Sequence, residues 1–175
     1  MAKHGVVRTD KLMGTDVRSM LVSLNYVVVN GNNVTETAID NGNVVKLGNL
    51  KEGEREIYIA TAPAANDSIA NIVLVASPEV MYDERLKDLT DYYNEAGKNV
   101  RGYKLHSGDI FSLTKEALDG TTGENGTLAV GSIIELKAGT MLKAVTSATT
   151  GSTAIGKIIA IDVVGPYTYY VIQVN

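Results

Sequence analysis

Short β-branched runs, each cut off by a turn rich in asparagine or glycine, constrain this chain more than any other feature. Val, Ile and Thr supply 49 of its 175 residues, and Gly another 17. These side chains pack well on pleated surfaces, and the punctuation keeps every run too short for anything but a strand. Residues 20–29 stop at Asn30-Gly31-Asn32-Asn33, and a second stop of the same chemistry is Asp40-Asn41-Gly42-Asn43. Asn and Gly accept the positive φ that tight hairpins require.

Further along, residues 44–47 and 56–60 flank Lys51-Glu52-Gly53-Glu54 as another hairpin. Residues 72–76 are apolar without interruption, which predicts a strand covered on both faces. Residues 103–106 and 110–114 carry strand signals, and 132–136 and 141–145 form a hairpin about a turn at 137–140. The last pair, 156–164 and 167–174, is hinged at Gly165-Pro166. Strands at this spacing predict a mainly β fold, an antiparallel sandwich or small barrel. One short helix is expected near the middle, over 84–96. There Leu86, Leu89 and Tyr93 share a face, Asp83 is placed to cap and Gly97 to stop.

The expected organisation is an N-terminal arm over 1–16 and a β-rich body over 17–175. The body divides into lobes 17–78 and 100–175 joined by a helical segment 79–99. From Lys3 to Arg18, the arm and the first residues after it carry Lys3, Arg8, Lys11 and Arg18 against Asp10 and Asp16. Such an excess suits either a plain solvated terminus or a contact for an acidic partner surface.

Composition narrows the chemistry. The absence of Cys removes disulfides, thiol catalysis and thiolate metal sites. A net charge of −4 and a pI near 5.2 argue against broad nucleic-acid binding, which needs cationic excess to displace counterions. No apolar stretch follows Met1-Ala2-Lys3-His4-Gly5, and the run 26–29 is far too short to span a bilayer. The expectation is a soluble protein made in a cytoplasm, with no membrane and no nucleic acid among its partners.

Candidate reactive groups are sparse. Gly151-Ser152-Thr153-Ala154-Ile155-Gly156-Lys157 has the spacing of a phosphate-binding loop, but Ile158 stands where a magnesium-binding hydroxyl belongs, and a strand follows instead of a helix. His106 and Asp109 flank Gly108, where a turn closed by Asp109 on its own backbone explains them better than catalysis. Glu79, Asp83 and Glu84 suit a helix N-terminus better than a paired-carboxylate site. No Ser or Thr lies in a nucleophile elbow. Tyr167, Tyr169 and Tyr170 offer either a stacking platform for a sugar or ordinary strand residues. No enzyme, no metal site and no cofactor is expected.

Three stretches carry a family likeness. Ala76-Ser77-Pro78-Glu79-Val80-Met81-Tyr82-Asp83, the run from Asn94 to Tyr103, and Gly108-Asp109-Ile110-Phe111-Ser112 resemble small structural proteins of tailed bacteriophages, the capsid decoration (cement) proteins. The resemblance implies a non-enzymatic virion protein on the capsid surface, bound to the major capsid protein and stabilising the shell. It also implies a homo-oligomer, a trimer before other states. Lys3, Arg8, Lys11 and Arg18 are then the expected capsid contacts. A tail component, a head fibre or a carbohydrate-binding β module are the alternatives.

Overall fold

The computed structural model describes residues 3–9, 21–81, 88–119 and 128–175. Its centre is β1 (Leu21–Asn30), which is long enough to serve three neighbours. Its first half pairs in parallel with β4 (Ile57–Thr61) and antiparallel with β6 (Val100–Lys104). Its second half pairs only with β2 (Asn33–Glu36). Strand β3 (Val44–Leu50) lies between β4 and β5 (Ile72–Val75), and β5 pairs with β6. The path β1-β4-β3-β5-β6 returns to β1, so these five strands close a barrel and β2 hangs from it as a flap.

The remaining strands form a five-stranded antiparallel sheet. They are β7 (Ile110–Leu113), β8 (Ile133–Glu135), β9 (Lys143–Val145), β10 (Ala154–Val164) and β11 (Tyr167–Val174), in the order β7-β11-β10-β8-β9. Alternation along the shared strands explains how barrel and sheet join. Val45 of β3 and Val73 and Val75 of β5 fill the barrel with Leu24, Tyr26, Ala60 and Val100. Val44, Ile72 and Leu74 point the other way, onto Phe111, Leu113, Ile134, Ile155, Ile158 and Ile172 of the sheet. Side chains two apart on a strand share a face, so β5 is buried on both sides, as its unbroken apolar run predicts. The fold is mainly β, built from a small barrel and a second packed sheet.

The expected helix over 84–96 is different. Asp83 and residues 84–87 lie outside the described residues. From Asp88 onward there is only one 3-10 turn, Leu89–Asp91. Asp88 accepts from the Thr90 N–H while Asp91 reaches back to the Asp88 N–H, a capping box that closes a single turn. Tyr92 is already extended, and Asn94 bridges to Ile39 through two backbone hydrogen bonds of 2.9 Å. Pairing with a distant segment overrides the helical spacing of Leu89 and Tyr93.

Candidate contact surfaces

The N-terminal residues are joined to the body. Val6 and Val7 are 2% and 3% exposed, as deep as core residues. Val7 bridges Leu113 on the outer edge of β7, with Arg8 N–H donating to Ser112 C=O (3.2 Å) and Thr114 N–H donating to Val6 C=O (3.1 Å). His4 N–H donates to Thr90 C=O (3.0 Å), its ring lies 2.8 Å from Asp40, and it stacks on Tyr93. A side chain at Gly5 would meet Ala117 Cβ at 2.7 Å and Asn41 C=O at 2.9 Å, so only glycine passes there. An arm with scattered apolar residues is the sequence expectation for 1–16. Over residues 3–9 the finding is a docked segment joined to β7 by one antiparallel bridge and anchored by two valines.

Of the four expected contact cations, Lys11 and Arg18 lie outside the described residues. The other two face one cluster. The Arg8 guanidinium stands 5.6 Å from the Tyr169 ring centroid, a cation–π distance. Lys3 is exposed, close enough to Asp88 to favour its charged form. The Tyr167 hydroxyl donates to the Asp88 carboxylate. The Asp88 carboxyl is held below its usual range, first by the Thr90 N–H and then by Tyr167, with Lys3 adding a smaller effect. The same Asp88 contact pushes Tyr167 up to about 12. The tyrosines therefore form no common stacking platform. Tyr167 and Tyr169 share one face, with Tyr169 5% exposed, while Tyr170 packs against the core on the other.

Strand lengths create the free surface. β10 has 11 residues and β11 has 8, whereas β7 and β8 have 4 and 3. The inner ends are covered by these shorter neighbours, through residues 154–157 of β10 and 170–173 of β11. Beyond them the hairpin continues as a two-stranded ribbon, turned at Gly165 (φ +59°) and Pro166, with Tyr167 and Tyr169 of β11 held by Asp88 and Arg8 on one face. Ile161, Val163 and Val164 are exposed on it, Val163 at 74%. The β1–β2 hairpin repeats the pattern on the barrel, turning at Gly31 (φ +61°) with the opposed pair Val29 and Val34 at 53% and 62%. Sequence reading missed the ribbon residues. Their signal is a hairpin whose arms outlast every strand able to flank them.

The remaining chemical candidates have structural duties. Asp109 accepts from the His106 N–H at 2.8 Å and closes its own turn. Residues 151–157 run into β10, as their sequence predicts. Glu79 accepts from Asn41 and Thr9 at 3.3 Å each. Glu135 is fully buried, paired across the β8–β9 ladder with Lys143 at 3.5 Å and accepting from the Thr149 N–H at 3.0 Å. A cleft of about 740 Å³ opens between residues 77–81 and 91–101. Two of its polar groups serve the fold: Ser77 Oγ accepts from the Arg101 N–H, and the Tyr92 hydroxyl donates to Asn94. Among the described residues, no three His, Asp or Glu side chains gather as metal ligands, and no helix is long and apolar enough to cross a membrane.

Comparison with known proteins adds one line of information. Residues 14–129, more than half of the chain, match the model of the family described as YonC prophage protein. The match spans the barrel and β7. It leaves residues 3–9 and β8 to β11 outside. No curated protein and no solved structure matches the chain.

Proposed function

The chain belongs to the YonC prophage protein family, and we propose that it is a non-enzymatic virion protein that binds the outside of a phage head and braces the shell. The family supports a phage-related role. The observation that carries the finer reading is the β10–β11 ribbon, which holds Ile161, Val163 and Val164 in solvent on β10 while Tyr167 and Tyr169 of β11 tie it to Asp88 and Arg8. Ile161 and Val163, two apart on β10, share a face, and apolar surface exposed on a well-packed body marks interaction sites. A ribbon hydrogen-bonded along its length loses little conformational freedom on docking, which favours affinity.

The mechanism is linkage. A protein that binds the assembled shell and not its separated subunits lowers the free energy of the assembled state. Copies at symmetry-related positions add avidity, since a subunit reaching two capsomers holds both. Charge plays the smaller part here, because Lys3 and Arg8 face Asp88 and Tyr169 of their own chain.

The test is co-sedimentation of purified protein with undecorated phage heads. The expected result is saturable binding that raises the temperature of head disruption, with Val163→Asp binding at least tenfold more weakly. Absence of sedimentation with heads defeats the reading. Binding that tracks tails and not heads makes it another virion component.

A further inference from the structure

We infer that residues 3–9 are an exchangeable segment, able to occupy the same socket on a second copy of this chain. The socket is specific for this segment. The β7 edge supplies main-chain partners at Ser112 and Thr114, and a fixed pocket admits Gly5 only because it lacks a Cβ. Val7 fills the space beside Leu113 and Gly42. No other stretch of the sequence offers Gly-Val-Val, so the occupant that fits is this segment, from this chain or from another copy.

The connection permits both. Eleven residues separate Thr9 from Leu21, enough chain to reach at most about 40 Å. The contacts are identical in cis and in trans, so the balance between them depends on concentration. A flexible linker of eleven residues would give the segment's own socket an effective concentration on the order of millimolar. Copies crowded to that level compete on equal terms, and exchange of an identical element is a low-cost route to an oligomer. An empty socket is unfavourable, because it exposes the unpaired N–H and C=O groups of the β7 edge. The inference concerns contact between copies alone, and its test contains no phage head.

The chain has no Cys, so introduced thiols report without background. Val7 and Leu113 are a non-hydrogen-bonded antiparallel pair, the closer of the two cross-strand spacings. Both are buried, so V7C and L113C join only when the segment is docked. The double variant should close within one chain at micromolar concentration. Mixing the two single variants should give a covalent heterodimer that grows as concentration rises to millimolar, and more quickly after refolding together. Should L113C fold poorly, T9C and E79C with a short bis-maleimide report on the same docking from the exposed side, where Thr9 donates to Glu79. No heterodimer at millimolar concentration from either pair, before or after refolding together, overturns the inference. So does a V7C homodimer forming as readily as the heterodimer.

Discussion

Asn41 is 1% exposed and commits its whole amide to two distant segments. It donates to Ser77 C=O (2.8 Å) and to Glu79, and it accepts from the Ser77 N–H (2.9 Å) and the Asn94 amide (3.1 Å). Asn94 in turn donates to Ile39 C=O (3.0 Å). Replacing Asn41 by Ala strands buried donors and acceptors, so unfolding free energy should fall by about 3 kcal/mol in urea melts. The sequence shows that residues 40–43 make a turn, because Asn and Gly are locally decisive there. It hides the side chain's role, since the partners lie 36 and 53 residues away. A second residue-scale prediction concerns Tyr167 and Asp88. The raised Tyr167 pKa gives stability that is present below pH 10 and lost as pH rises toward about 12. The lowered Asp88 pKa gives stability that is present above the usual carboxylate range and lost as pH falls through the folded value. In Tyr167→Phe the difference from wild type should shrink between pH 10 and 12. The Asp88 carboxyl, followed by NMR, should titrate at higher pH but stay below its usual range, because the Thr90 N–H remains. An unchanged Asp88 titration would show that the hydrogen bond is not made.

Elements differ in how plainly the sequence announces them. The hairpins about Asn30–Asn33, Lys51–Glu54 and Gly165-Pro166 are legible because turn chemistry and β-branched arms agree. β5 is legible because burial on both faces needs an unbroken apolar run. Barrel closure is not, since β1 meets β6 some eighty residues away and β4 in parallel, and alternation gives no partner. From Asp88 on, the helix expected over 84–96 gives way to a 3-10 turn for a related reason: the spacing is helical, but the bridge from Asn94 to Ile39 is non-local. The bridge from Val7 to Leu113 is not legible, because two adjacent valines beside a glycine carry too little pattern to reveal a socket. Element-scale energetics separate the two ends of the molecule. Ile72→Ala, in the layer shared by barrel and sheet, should cost about 2–5 kcal/mol. Val163→Asp on the ribbon should change stability by less than about 0.5 kcal/mol. Equal losses in denaturant melts would mean that the ribbon is part of the core and not a docking element.

For the whole molecule, one N-terminal segment ties the parts together. Residues 4–8 bond to the segment around Asp40 and Thr90 on one side and to β7 on the other, spanning barrel and sheet. The family match covers the barrel and β7, while residues 3–9 and the ribbon sheet lie beyond it. Both proposed contact elements are therefore appended to the part that defines the family. The account rests on a rigid body presenting an apolar ribbon to a larger assembly. The most direct test is a cryo-EM reconstruction of phage particles that carry this protein. The account predicts density for a barrel and a packed sheet on the outer surface of the head, with the Gly165-Pro166 end of the ribbon against the shell. Particles with complete heads and no such density outside them, or with it only at the tail, would contradict the account.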